Sequence, residues 1–182
     1  GNIDVTATNI AVNAALTGAG TTAFTGAVTT AAAGDLTRDG AVTVTGNLTA
    51  AGDITTADAT IAVTGNLVVA EAATPAFSTG AGGAGDLSVT GTTDGTAGGA
   101  AETLTVLAGT GNVTFTGAIG GGAPLGDLTI TSATNVSLPA TTLSGNLTQT
   151  AGSGTTTFGG APAVAGNIDV TATNIAVNAA LT

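Results

Sequence analysis

One short phrase, glycine followed by asparagine or aspartate and then an aliphatic residue, recurs along this chain and sets the scale on which it can fold. It reads GNIDVT at Gly1, GNLTAA at Gly46, GNLVVA at Gly65, GDLSVT at Gly85, GDLTIT at Gly126, GNLTQT at Gly145 and GNIDVT again at Gly166. With a degenerate copy, ETLTVL, the aliphatic anchors are Ile3, Leu48, Leu67, Leu87, Leu104, Leu128, Leu147 and Ile168. Most of their gaps fall near twenty residues, and the one long gap holds a further copy, TTAFTG, around Phe24. A recurrence on that scale marks a repeat architecture. The span holds about eight steps, and a second copy at Leu36 leaves seven or nine open.

Within each step the side chains alternate. In GDLTIT, Leu128 and Ile130 point one way while Thr129 and Thr131 point the other; in TIAVTG, Ile61 and Val63 alternate with Ala62 and Thr64. A period of two built from Val, Ile, Leu and Thr describes a half-buried strand. No stretch keeps a 3.6-residue apolar face, and Thr and Gly interrupt every helical candidate. Gly and Asn separate the strands and supply the backbone angles of tight corners. The expected fold is all-β: a parallel β-helix, or β-solenoid, of about eight coils of roughly twenty residues. A single coil cannot bury its inward residues, whereas stacked coils share a narrow aliphatic core.

Two further expectations follow from this register. Phe24, Phe115 and Phe158 occupy similar settings, TTAFTGAV, NVTFTGAI and TTTFGGAP, and read as oversized inward pegs, each followed two residues later by a Gly that leaves room for the ring. Asn2, Asn47, Asn66, Asn146 and Asn167 recur at a corner, so they should pass amide hydrogen bonds from coil to coil as one ladder. Asp86 and Asp127 would interrupt it, because stacked carboxylates are costly.

The seventeen residues GNIDVTATNIAVNAALT stand at position 1 and again, letter for letter, at position 166. Packing rarely forces exposed and buried positions alike to be identical, so the duplication suggests a tandem unit. Residues 1–165 would be one repeat, 166–182 the start of the next, and 1–182 one continuous solenoid segment. At roughly 4.8 Å per coil, eight coils would advance the fibre by about 38 Å per unit.

Composition narrows the chemistry. Arg38 is the one basic residue against eleven acids, and the net charge of −10 makes nucleic acid and anionic lipid poor partners. At 43% hydrophobic and 7% charged, the chain is too apolar for a disordered acidic tail. No run approaches a membrane span, so membrane insertion is not expected. Cysteine is absent, so the fold does not depend on disulfides.

The alternation of GDLTIT, GNLTQTAGSGTTTFGGAPAV and TTAFTGAV resembles the filamentous-haemagglutinin-like, β-strand-repeat surface proteins of bacteria, over essentially the whole chain. That resemblance implies a right-handed parallel β-helix, secretion to the cell surface or beyond, and work as an adhesin stalk or filament. It brings no catalytic signature with it.

The chemistry-bearing residues are few. Without His, Cys or Lys no Ser-His-Asp triad or Cys-His pair can form, leaving clustered carboxylates, Asp35 with Asp39 and Asp53 with Asp58, as the route to a polysaccharide-active enzyme. Solvated corner acids are the preferred reading, and no catalytic activity is expected. GAGGAG from Gly80 to Gly85 spells a dinucleotide fingerprint but leads into the strand DLSVT, where a helix N-terminus is required. With Asp86 it also approximates a calcium nonapeptide, with the acid one place early; no cofactor is expected beyond opportunistic calcium at acidic corners. Thr-x-Thr recurs at Thr43, Thr103, Thr114, Thr129, Thr148 and Thr171, the pattern of an ice-binding face, but scattered around the coil. Asn47, Asn112, Asn135 and Asn146 begin N-x-S/T triplets, a possible glycosylation signal.

The reading is therefore a structural segment of an extracellular fibre or adhesin stalk whose partner is itself, end to end or as covalent repeats, with lateral bundling of fibres. A binding module using a Thr-rich face for ice or glycan is the alternative.

Overall fold

A computed structural model describes residues 1–97 and 102–180 of the chain. Among them there is no helix, and every strand pairing is parallel. The chain winds as a three-faced β-solenoid. The first face begins with the leading halves of Ile3–Val12 and Thr22–Thr30 and continues through Val42–Thr45, Ile61–Val63, Leu87–Val89, Val113–Phe115, Val136–Leu138, Thr155–Phe158 and Asn174–Val177. The trailing halves of the two long strands turn a corner and open the second face, followed by Leu48–Ala50, Leu67–Val69 and Thr93–Asp94, then Ile119 as a bridge, Thr141–Leu143 and Pro162–Val164. The third face is an eight-stranded sheet running from Leu16–Gly18 to Ile168–Val170.

The first face is thus nine strands deep and the third eight, so about nine turns are present where the recurrence gives about eight. The difference has a simple source. The aliphatic anchors of the Gly-Asn/Asp phrase do not share one face: Ile3 and Leu87 start first-face strands, Leu48 and Leu67 second-face strands, and Leu104, Leu128, Leu147 and Ile168 lie on the third. Counting anchors therefore counts a mixture of whole coils and fractions.

Inside, residues of successive coils stack in columns. One column on the first face runs Val5, Phe24, Val44, Val63, Val89, Phe115, Leu138, Phe158 and Val177, so three of the four Phe share it. Phe24, Phe115 and Phe158 are all buried. The fourth, Phe77, stacks between Ile54 and Val106 on the third face. Inward residues such as Leu36, Leu48, Ile54, Leu67, Leu104 and Leu128 have no exposed surface. A fully buried Leu or Phe stabilises the fold by roughly 1.5–3 kcal/mol relative to exposure, a gain that each coil realises only when its neighbours cover it.

The glycines after the Phe positions serve the backbone and not the ring. A Cβ on Gly26 would lie 1.8 Å from the Ala7 carbonyl oxygen, and one on Gly117 would lie 2.5 Å from Gly91. Gly26, Gly46, Gly65, Gly91 and Gly117 stack at the corner between the first and second faces, each with the carbonyl of the coil below where a side chain would be. Backbone bonds tie the spine, Gly65 N–H donating to Gly46 O and Gly91 N–H to Gly65 O, both at 3.1 Å. Gly26 and Gly46 also adopt positive φ, +138° and +139°.

Gly65→Ala should therefore destabilise the fold by about 1–3 kcal/mol, because the added methyl meets backbone at 2.4 Å. Gly82→Ala, with open space around it, should change stability by less than about 0.5 kcal/mol. Urea unfolding of both variants checks the contrast; equal effects would contradict the spine.

Candidate functional site

The residues with chemistry to offer lie at the corners and on the outward side of the first face. The Asn and Asp of the recurring phrase do form ladders, but the structure distributes them over all three corners and not along one. At the first-to-second corner, Asn66 N–H donates to Asn47 Oδ1 (2.9 Å) and Thr92 N–H to Asn66 Oδ1 (3.0 Å). At the third-to-first corner, Thr21 N–H donates to Asn2 Oδ1, and a longer ladder runs through Asp86, Asn112, Asn135 and Thr155. At the second-to-third corner, Asn146 N–H donates to Asp127 Oδ1 (2.6 Å) and Asn167 N–H to Asn146 Oδ1 (2.9 Å).

Asp86 and Asp127 head these ladders; they do not interrupt them. What the position demands is an acceptor oxygen for the backbone N–H one coil later, and a carboxylate supplies that as well as an amide. Each Asp is followed by an Asn whose Nδ2 donates back to the carboxylate, Asn112 to Asp86 and Asn146 to Asp127. Charge-assisted bonds of this kind are the stronger ones. The same nitrogen is where a glycan would attach, and at Asn112, Asn135 and Asn146 it is engaged in a ladder bond.

The paired acids are rearranged relative to the sequence expectation. Asp35 and Asp39 flank the strand Leu36–Arg38, and Asp53 and Asp58 flank Ile54–Thr56, so neither pair shares a corner. Asp35 and Asp53 are brought together instead, with Glu71 lining the same shallow groove. Their Oδ1 atoms accept backbone N–H groups, Asp53 N–H to Asp35 (2.9 Å) and Ala76 N–H to Asp53 (2.8 Å). Asp58 sits at a positive φ of 58° against Gly80 and Gly83, the glycines of GAGGAG. Among the described residues no group of three or more acidic side chains is placed to hold a metal ion.

A polar column inside the third-to-first corner was not legible in the sequence. Gly18, Arg38, Thr56 and Thr79 follow one another there. Arg38, only 3% exposed, reaches across the first coil with no carboxylate in contact among the described residues: its guanidinium donates to the carbonyls of Gly1 (2.7 Å), Ala19 (3.0 Å) and Thr17 (3.2 Å). Thr56 and Thr79 carry out the same task with their hydroxyls, donating to the carbonyls of Ala59 and Gly85. Buried Gln149 stands in line with Ile130 and accepts from the Thr156 hydroxyl at 2.6 Å. The signal for Arg38 was its isolation: one inward-phase arginine in a chain otherwise without basic residues.

Outward, the first face carries ordered hydroxyls. Thr6, Thr25, Thr45, Thr64, Thr90 and Thr116 stack in one exposed rank beside the glycine spine. A second rank, Ser88, Thr114, Ser137 and Thr157, runs beside the Asp86, Asn112 and Asn135 ladder, and together they line a groove along four coils. The Thr-x-Thr pairs starting at Thr43 and Thr114 fall on this face, those at Thr103, Thr129 and Thr148 on the third. Ala23 and Ala62 break the rank of Thr43 and Ser88, so Thr-x-Thr does not tile the face.

The duplicated segment occupies two different positions. In the first copy Ile3–Thr6 lies on the first face and Asn9–Val12 on the second; in the second copy Ile168–Val170 lies on the third face and Asn174–Val177 on the first. Leu181 and Thr182, the last two letters of the second copy, fall outside the described residues. Val12 is 8% exposed, whereas its counterpart Val177 is 44% exposed, and Ile168 and Ile175 are 44% and 51% exposed. Among the described residues no helix is long and apolar enough to cross a membrane. No protein-family model, curated protein or solved structure matches the chain.

Arg38→Met keeps the buried stem and removes the donors, each worth about 1.5–3 kcal/mol as a charged hydrogen bond. Amide exchange across residues 1–21 should accelerate roughly ten- to a hundredfold while residues 136–158 keep their protection, since 1.4 kcal/mol is a factor of ten. Uniform acceleration along the chain would contradict a local clasp.

Proposed function

We propose that the chain is a segment of a long extracellular fibre or adhesin stalk, exposed at a cell surface and resembling the filamentous-haemagglutinin-like proteins in its repeats. Its work is mechanical, without catalysis, and it needs no cofactor. The observation that carries this reading is the continuity of bonding along the axis. Successive coils are tied by parallel backbone ladders and a shared core, with Asn and Asp stacking at one corner or another along the axis, so stiffness is a property of the repetition. Its partner is the next copy of the same unit, and the acidic corners keep separate fibres soluble until cations screen them. Arrays of one, two and four 165-residue units should lengthen linearly, by about 37 Å per unit at coil spacing, as measured by small-angle scattering. An array that becomes more globular with each added unit would overturn the proposal.

A second reading is favoured by one observation, the groove on the first face. Its two ranks of hydroxyl and amide groups repeat at coil spacing and suit the hydroxyls of an extended glycan. Binding to a panel of soluble polysaccharides by isothermal titration should weaken at least tenfold in the triple variant Ser88→Ala, Thr114→Ala, Ser137→Ala. Unchanged binding, or none to any polysaccharide, leaves the fibre reading alone.

A further inference from the structure

Because the two copies of GNIDVTATNIAVNAALT sit on different faces, the distance between them is not a whole number of coils. Ile3 starts the first coil on the first face, and Ile168 lies on the third face of the eighth coil. Between them the chain advances seven coils and two thirds. The second stretch agrees: Asn9–Val12 on the second face of coil one becomes Asn174–Val177 on the first face of coil nine.

We infer that successive 165-residue units join with a rotation of one face, a third of a turn, so that the third face of one unit continues as the first face of the next. This rests on the reading of the duplication as a tandem repeat.

The two copies are complementary halves of one junction. The first shows what covers the segment on its C-terminal side: Thr22 stacks on Ile3, Phe24 on Val5, Val28 on Ile10 and Thr30 on Val12. The second shows what lies beneath it on its N-terminal side: Leu147 under Ile168, Gln149 under Val170, Thr156 under Ile175 and Phe158 under Val177. Combined, they give a rung closed on both sides, with the exposed Ile168, Ile175 and Val177 as the surface that the next unit's Thr22–Thr30 occupies. Each unit's Arg38 then clasps carbonyls of the rung it closes, as it does for Gly1 and Ala19.

The consequence is a fibre whose features return to one azimuth only after three units, that is 23 coils or about 110 Å. The threonine rank and the hydroxyl groove of the first face therefore point in three directions in turn. A fibre of this symmetry presents the same surface to neighbours on all sides, whereas whole-coil repeats would place it along one edge.

The test extends the full chain at its C-terminus with a copy of residues 18–56 and introduces cysteine pairs. Asp4 and Ala23 are register partners pointing outward, and Asp169 is the copy of Asp4. Neighbouring parallel strands place such residues within disulfide reach. Asp169→Cys paired with a Cys at the appended copy of Ala23 should crosslink on mild oxidation, and the extended chain should melt above the original. Crosslinking instead between Ala176→Cys and the same appended position would overturn the rotation while leaving the linear growth of tandem arrays intact. Neither crosslink, with no gain in melting temperature, would overturn the junction itself.

Discussion

No coil of this protein is stable alone. Its inward residues number two or three per face, its backbone groups point along the axis, and both are satisfied only by the coil above and the coil below. Buried backbone amides and carbonyls left unpaired would each cost on the order of 1–3 kcal/mol. Everything else in the structure serves that stacking. Columns of like residues keep the rise uniform, and side chains at the corners supply bonds where the strands cannot.

The corners make the point most sharply. Where two faces meet, the strand ladder stops and backbone N–H and carbonyl groups would go unpaired. Three solutions appear: a glycine spine that lets backbone approach backbone, Asn and Asp oxygens that accept the next coil's N–H, and inward donors such as Arg38, Thr56 and Thr79 that reach the corner carbonyls from within. Arg38 places its guanidinium in a site that is almost completely buried, without a carboxylate in contact among the described residues. The carbonyls that accept from its two terminal nitrogens stand in for the counterion, while its buried Nε has no partner among the described residues.

Much of the fold was legible because alternation and recurrence are local signals. The strand at Leu128 and Ile130, and the corner glycine before it, could be read from six letters. The phase of each coil could not. The Gly-Asn/Asp-aliphatic phrase encodes "strand begins after a corner", and three corners meet that description equally, so Leu67 and Leu87 look like successive turns although they sit on different faces. For the same reason the corner Asn residues look like one ladder in the sequence, although they belong to three corners. At Asp86 and Asp127 the sequence displays a charge, whereas the corner uses their acceptor oxygens. Of the site, the carboxylate neighbours Asp35 and Asp53 lie a coil apart and become visible only once the coil length is known.

The central claim is that successive loops lie flat on one another at parallel-strand spacing along a single axis. X-ray diffraction from oriented material measures this directly. The account predicts a sharp meridional reflection near 4.8 Å, the spacing of hydrogen-bonded strands. That reflection absent from the meridian, or lying on the equator with the strands along the fibre, would contradict it.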